Sequence, residues 1–181
     1  MVAPSKFAHV VLNTHRFEEM IDWYAMVFDA RVQHRDRRLA FLTYDDEHHR
    51  FAFVNLGPAN EGADERPAAA TGLNHLGYTW RNVIELMDTY TSLKSRGIMP
   101  SRSVRHGPTL SLYYSDPDRN GLEFQVDLLD SEDANRFMRG SAFAANPIGE
   151  QFDPDALVMR LAQGKPTNDL VFRSDQAESI G

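Results

Sequence analysis

The sequence predicts an α+β fold built from two copies of a βαβββ module and followed by short C-terminal helices. Three observations predict it. β-prone runs and one amphipathic stretch recur in the same order twice. A Gly-, Pro- and Ala-rich linker at 57–72 separates the copies. Equivalent residues keep nearly one spacing, since His75 follows His9 by 66 residues and Gly97 follows Asp29 by 68. Such an internal period indicates a repeated unit, so we expect two modules that face each other.

The first module is predicted at 6–56. It opens with a strand at 6–13, KFAHVVLN, which leads into Thr14 as the expected helix cap. In RFEEMIDWYAMVF the apolar residues fall at three- and four-residue steps, which predicts a helix with one buried face that ends near Asp29. Three β-prone runs follow, RVQH, RLAFLTY and RFAFVNL. Their order completes βαβββ.

The second module is predicted at 73–128 and repeats the first. LNHLGYTW indicates a strand, and VIELMDTYTSLKSRG indicates a helix that ends at Gly97. Strands are expected at about 101–106 and in TLSLYYSD and GLEFQVDL. The residues DPDRNG between the last two strands are typical of a tight turn.

We expect residues 1–130 to form a single domain and residues 131–181 to form a helical tail. The tail contains two short helical patterns, and the second is started by Asp153 with Pro154 in its first turn. Two such short helices cannot bury a core alone. The segment 131–165 is therefore expected to pack over the mouth of the fold or at a subunit interface.

Composition and charge exclude several classes of partner. No apolar run approaches the roughly 20 residues needed to span a bilayer, and the start of the chain does not resemble a leader peptide. The formal net charge of −7 and the pI near 5.4 do not suit a general nucleic-acid binder. We therefore expect a soluble, cytoplasmic protein that binds neither nucleic acid nor membrane.

Three residues are the candidate ligands of a divalent metal. The chain has no cysteine, so a metal site must use nitrogen and oxygen ligands. A single histidine in a strand is usually an ordinary core or surface residue, but His9 and His75 occupy matching places in the first strand of each module. Together with Glu123 on the last strand they predict a two-histidine, one-carboxylate site with open positions, which suits Fe(II) and also accepts Mn(II).

The strand beginnings FAHVVLN and GLNHLGYTW, together with SLYYSDPDRNGLEFQVD, resemble the vicinal oxygen chelate superfamily over residues 6–127. The resemblance implies that the two modules pair into one curved, partly closed barrel. The superfamily includes glyoxalases, epimerases, fosfomycin and bleomycin resistance proteins, and type I extradiol dioxygenases. The metal-ligand pattern by itself does not choose among these members.

Other residues resemble the extradiol dioxygenases in particular. EHHRFAFV is similar to that family's His-His pair, which implies that His49 is the acid/base residue and that His48 faces away. Without this likeness, DDEHHR would be read as an exposed turn. Tyr113 stands ten residues before Glu123, as in the family. His106 matches the family's preceding histidine, although its gap to Tyr113 is about two residues shorter than in the larger enzymes.

The resemblance implies an Fe(II)-dependent extradiol dioxygenase of aromatic hydrocarbon catabolism, with Mn(II) as the alternative metal. Its substrates would be a small aromatic diol and O2, and its product a ring-opened semialdehyde. His49 would move protons, Tyr113 would hydrogen-bond to the substrate, and His106 would assist orientation. We expect a homo-oligomer, because sheet edges can pair between subunits.

Two alternatives remain open from the sequence. One is a metal-dependent glyoxalase or epimerase, but such enzymes typically use four protein ligands, and FAFVNLG at the end of the first module offers no fourth. The other is a small-molecule binding or resistance protein, a class that lacks the ligand triad. The sequence does not identify the catechol.

Overall fold

The computed structural model describes residues 3–59 and 71–165. The chain divides into two compact units, and the first comprises residues 1–72 with the turn at 116–120. The second comprises 73–115 and 121–181. Most of the predicted linker and the polar end of the tail lie outside the described residues.

The first unit has the predicted βαβββ order. Its elements are β1 (Val10–Thr14), α1 (Phe17–Phe28), β2 (Arg31–Arg35), β3 (Leu39–Thr43) and β4 (Phe51–Asn55). The sheet order is β1-β4-β3-β2, with β1 parallel to β4 and the other pairs antiparallel. Met20, Ile21 and Tyr24 form part of the buried face of α1, and they lie at helical spacing as the sequence predicts.

The start of α1 differs from the prediction. Thr14 is the last residue of β1 and not the helix cap, which is Arg16. The Thr14 hydroxyl instead accepts a hydrogen bond of 2.8 Å from the backbone N–H of Arg16. The strand also begins later than expected, so His9 immediately precedes it. The end of the helix is confirmed, since Asp29 adopts the left-handed conformation of a C-terminal cap with φ of 50°.

The second unit repeats the topology. Its elements are β5 (His75–Trp80), α2 (Val83–Ser95), β6 (Arg102–Arg105), β7 (Thr109–Ser115) and β8 (Gly121–Asp127). Strand β5 lies parallel to β8, and the order continues through β7 to β6. Asn82 caps the start of α2, because its side chain accepts a hydrogen bond from the Glu85 N–H. Gly97, at φ of 78°, follows the end of the helix. The predicted repeat is therefore confirmed.

The tail contains more structure than the sequence indicated. Its elements are α3 (Ser131–Met138), α4 (Ser141–Ala145), β9 (Glu150–Gln151) and α5 (Pro154–Ala162). The helices α3 and α5 were predicted, whereas α4 and β9 were not. Strand β9 pairs antiparallel with β6, so the tail adds a fifth strand to the second sheet.

Helix α5 packs on α2 within the second unit. Asp155 accepts a hydrogen bond from the Tyr90 hydroxyl at 2.9 Å and pairs with Lys94, while Leu157 is buried. The tail is thus part of the second unit's packing. In the described part of the chain, no helix combines the length and apolar character needed to cross a bilayer.

Candidate active site

His75 and Glu123 come together on the neighbouring parallel strands β5 and β8. His75 lies opposite Gly121, and Gly77 lies opposite Glu123. Since residues two apart on a strand share a face, both side chains occupy one side of the sheet. Nε2 of His75 lies 2.9 Å from Oε2 of Glu123.

The glycine at the start of β8 makes this approach possible. At Gly77, by contrast, a Cβ would lie 3.8 Å from Oε2 of Glu123, which is an ordinary contact. A Cβ at Gly121 would lie 2.5 Å from the carbonyl oxygen of Asn74 and 3.1 Å from Cβ of His75, which is too close for any other residue. Strand β8 can therefore start directly beside His75.

The pair fits two adjacent ligands of one metal ion. Two bonds of about 2.1 Å at a right angle place their donor atoms about 3 Å apart, and His75 and Glu123 already have this separation. Without an ion, the same distance suits a direct hydrogen bond in which Nε2 donates to the carboxylate. With a metal bound at Nε2, Nδ1 would carry the ring proton and would donate it to Oδ1 of Asn74, which lies 2.6 Å away and can only accept.

Tyr113 and His106 extend this pair into a hydrogen-bonded chain. Tyr113 lies opposite Glu123 in the β7–β8 hairpin, which explains their separation of ten residues. The Tyr113 hydroxyl donates to Oε1 of Glu123 at 2.7 Å, and its oxygen lies 2.8 Å from Nε2 of His106. The sequence-predicted residues of the second module therefore form one connected group.

Burial shifts the pKa of two members of this group, Tyr113 and His106. It raises the pKa of Tyr113 to about 12, and the hydrogen bond to Glu123 adds to the rise. The Arg102 guanidinium, 3.8 Å from the centre of the Tyr113 ring, acts in the opposite direction. Burial also lowers the pKa of His106, against the opposing effect of Glu123. Near neutral pH, Tyr113 is a protonated phenol and the neutral form of His106 is favoured.

His9, His48 and His49 form a second group in the first unit. His48 and His49 lie in the loop that joins β3 to β4, and His9 directly precedes β1. The ring centres of His9 and His49 are 4.3 Å apart. Burial, followed by the proximity of His9 and His48, lowers the pKa of His49. The imidazole of His49 is therefore poised to accept a proton near neutral pH.

The expectation that His48 faces away from the site stays a prediction, but the rings of His48 and His49 are neighbours. Their Nδ1 atoms lie 2.6 Å apart and their ring centres 4.5 Å apart. The expectation assumed the alternation of a strand, but these residues belong to a loop. His48 is nevertheless the more exposed of the two, with 69% of its side chain accessible.

Arg50, which the sequence did not assign, connects this loop to the segment before β1. Its guanidinium donates to the backbone carbonyls of Phe7 and Ala8 at 2.8 and 2.9 Å. It also forms two hydrogen bonds and an ion pair with Asp45. Arg50 therefore holds the backbone beside His9 against the loop that carries His49. The sequence feature that could have pointed to Arg50 is its position directly after His48 and His49.

The structure thus gathers the candidate residues into two groups. His75, Glu123, Tyr113 and His106 form one in the second unit, and His9 and His49 belong to the other in the first. Within residues 3–59 and 71–165, no group of three or more His, Asp or Glu side chains is arranged to hold a metal ion. The complete three-residue site stays a prediction.

Comparison with known proteins identifies the family. The model of the Glyoxalase/Bleomycin resistance protein/Dioxygenase superfamily matches residues 6–124. Biphenyl-2,3-diol 1,2-dioxygenase 2 of Rhodococcus globerulus is 44% identical over 169 residues, which cover 93% of this chain and 87% of that protein. Biphenyl-2,3-diol 1,2-dioxygenase 3 of the same organism is 38% identical over 175 residues, covering 96% and 91%. The chain belongs to this superfamily, and the predicted resemblance is confirmed.

Solved structures agree on the fold. Lactoylglutathione lyase from Agrobacterium tumefaciens matches with a TM-score of 0.53 at 17% identity, covering 68% of this chain and 94% of that one. The fosfomycin resistance protein FosX from Listeria monocytogenes also matches with a TM-score of 0.53, at 15% identity, covering 71% and 98%. These similarities confirm the predicted fold class and carry no information on the reaction.

Proposed function

We propose that this chain is an extradiol ring-cleavage dioxygenase that opens a catechol-type ring with O2. The observation that carries the proposal is the connected group of His75, Glu123, Tyr113 and His106. The names of both Rhodococcus relatives support it. In a 2,3-diol the hydroxyl groups are on carbons 2 and 3, and a 1,2-dioxygenase cleaves the bond between carbons 1 and 2, which lies outside the diol. This is the extradiol pattern, and it agrees with the class predicted from the sequence.

The proposed metal ligands are His9, His75 and Glu123, with Fe(II) as the metal and Mn(II) as the alternative. The donor set fits such an ion because it consists of imidazole nitrogen and carboxylate oxygen, and because His75 and Glu123 have the spacing of adjacent ligands. When bound, the ion would supply a Lewis acid with open positions at which a catechol and O2 can meet.

The residues around the ligands have separate tasks. Asn74 would accept the Nδ1–H of His75, which leaves the Nε2 lone pair of His75 for the metal. Tyr113 stays protonated, and its hydroxyl, which donates to Oε1 of Glu123, would turn to hydrogen-bond to a bound catechol. His106, 2.8 Å from the Tyr113 oxygen, orients that hydroxyl. A ring nitrogen of His49 accepts a proton from a catechol hydroxyl, and His49 returns the proton later in the reaction. A neutral imidazole is suited to both steps, and the lowered pKa of His49 favours that form.

The repeat argues against a fourth protein ligand. His9 corresponds to His75, so Val11 corresponds to Gly77 two residues later. Val11 lies opposite Ala52, as Gly77 lies opposite Glu123. The first module therefore has Ala52, a buried residue without a donor atom, where the second has Glu123. A three-ligand set favours the dioxygenase over glyoxalase- or epimerase-type enzymes with four ligands.

The test is ring cleavage by reconstituted protein. The full chain is loaded anaerobically with Fe(II), or in parallel with Mn(II), and mixed with biphenyl-2,3-diol and a panel of other catechols before O2 is admitted. We expect a yellow, ring-opened product and consumption of one O2 per ring. Absence of product from every catechol with both metals would contradict the proposal.

A further inference from the structure

We propose that Arg102 binds an acidic substituent on the catechol, so that the site takes diols bearing a carboxylate in preference to neutral ones. The proposal rests on the proposed dioxygenase function and names a substrate class for that site. Biphenyl-2,3-diol, the compound in the names of the relatives, carries no carboxylate, so those names do not supply this preference.

Arg102 belongs to the same row of side chains as Glu123. Arg102 of β6 lies opposite Tyr113 of β7, and Tyr113 lies opposite Glu123 of β8. Residues directly opposite each other in an antiparallel pair point to the same face of the sheet, so Arg102 lies on the face of the candidate site. Since neighbouring strands lie about 5 Å apart, the backbones of Arg102 and Glu123 are about 10 Å apart. A catechol ring with a short acidic arm has a length of this order.

The ring of Tyr113 holds the cation in place. The central carbon of the Arg102 guanidinium lies 3.8 Å from the centre of the Tyr113 ring. A guanidinium carries five N–H donors, and an aromatic ring attracts the charge through its π electrons without using all of them. The contact therefore fixes the position of the charge and leaves donors for a carboxylate, whose two oxygens match the fork of an arginine.

Arg102 has no acidic partner of its own in the part of the chain that the structure describes. The other arginine of β6, Arg105, is paired with Glu150 of β9 at 2.7 Å. If the register of β6 and β9 continued, Asp153 would lie opposite Arg102, but the side chain of Asp153 caps α5 instead. The tail therefore neutralises one arginine of this strand and leaves the charge of the other for a ligand.

The cation is accessible from solvent. Arg102 is exposed, whereas Tyr113 beneath it is only 8% exposed. The chain as a whole has a formal net charge of −7, so this arginine is a local attraction for an anion on an otherwise acidic protein. Because solvent screens an exposed charge, we expect a moderate contribution to binding.

The test compares two acidic catechols with their neutral amides. The acids are 2,3- and 3,4-dihydroxyphenylpropanoate, and each propanamide has nearly the same shape as its acid without the charge. With the full chain loaded with Fe(II), kcat/KM for at least one acid should exceed that for its amide about 5- to 20-fold, the scale of a partly exposed charge-assisted hydrogen bond. Equal values for acid and amide in both pairs would overturn the proposal.

Variants of the two arginines of β6 separate binding from packing. Arg102→Gln should abolish the preference for the acid, and Arg102→Lys, which keeps the charge without the fork, should retain part of it. Arg105→Gln is the matched control, because it removes the same charge from the same strand at a position that Glu150 already neutralises. Its preference should equal that of the wild type. If Arg102→Gln lowers kcat/KM equally for acid and amide, Arg102 only packs on Tyr113 and the proposal is wrong.

A readout that needs neither metal nor turnover separates this inference from the proposed function. In nitrogen-15 NMR of the metal-free full chain, the Nε–H resonance of Arg102, assigned by its loss in Arg102→Lys, should shift when either acid is added at millimolar concentration and stay in place with the amides. No shift with either acid overturns the inference. A chain that shows the shift but cleaves no catechol overturns only the dioxygenase, whereas ring cleavage without preference for the acid overturns only the inference.

Discussion

At the scale of single residues, the two modules share a framework but not their chemistry. Phe41 lies opposite Ala52 in the first sheet, as Tyr113 lies opposite Glu123 in the second. The first module thus has an apolar pair where the second has a phenol and a carboxylate joined by a hydrogen bond. One hydroxyl and one carboxylate, added to the same backbone register, distinguish the second module's group from its counterpart.

His49→Gln should leave metal content and catechol binding nearly intact, because His49 is not a proposed ligand. Turnover should fall by about 10² to 10⁴, the usual contribution of a positioned proton transfer. Steady-state oxygen uptake and anaerobic catechol titration measure the two effects. His34→Gln is the control, since His34 is exposed on β2. His48 is not a suitable control, because its ring lies beside that of His49. Full activity of His49→Gln would exclude the acid/base role.

Asn74→Ala should weaken metal binding about 10- to 100-fold, as removal of a group that orients a ligand usually does. The expected reason is that Nδ1 of His75 loses its acceptor at 2.6 Å and the ring rotates away from Glu123. Competition with a chelator of known affinity measures the change. Asn135→Ala, on the exposed surface of α3, should leave the affinity unaltered. Equal affinities for the two variants would show that Asn74 does not orient the ligand.

At the scale of the elements, each group of candidate residues lies beside a parallel strand pair. Strands β1 and β4 bring the segment before Val10 next to the loop before Phe51, and β5 and β8 bring His75 next to Gly121. Since a parallel pair aligns the starts of both strands, residues at those starts become neighbours although they are more than 40 positions apart. Arg50 then reinforces the contact in the first unit.

Arg50→Gln should destabilise the first unit by about 1 to 2 kcal/mol, because its hydrogen bonds to Phe7, Ala8 and Asp45 are lost, while the exposure of the bonds to Phe7 and Ala8 keeps each contribution small. Urea denaturation of the full chain measures the change. Arg81→Gln is the control, since Arg81 is 88% exposed and its pair with Glu85 lies on the surface. If both variants unfold at the same urea concentration, Arg50 does not hold the loop.

At the scale of the whole molecule, the tail makes the edge strands of the two sheets differ. All five residues of β2 are exposed, whereas β6, its counterpart, is paired with β9. The tail also covers α2 through Leu157 and Asp155. The second module therefore depends on residues beyond the repeat.

Truncation after Leu129 should expose the edge of β6 and the surface of α2 under α5. An uncovered strand edge favours pairing between chains, so we expect a change in oligomeric state or lower solubility, together with reduced turnover. Size-exclusion chromatography with light scattering measures the first. Truncation after Lys165 is the control, because it keeps every described tail contact. A protein truncated after Leu129 that behaved as the full chain would show that the tail is dispensable.

Local sequence patterns were sufficient to predict the order of the elements and the residues worth testing. Local periodicity encoded the βαβββ repeat, and hairpin spacing already paired Tyr113 with Glu123. Three-dimensional packing was needed to place His48 beside His49 and β9 along the edge of β6. Periodicity reports which face of an element is buried, whereas the conformation of a loop and the addition of an edge strand depend on segments distant in the sequence and leave no local pattern.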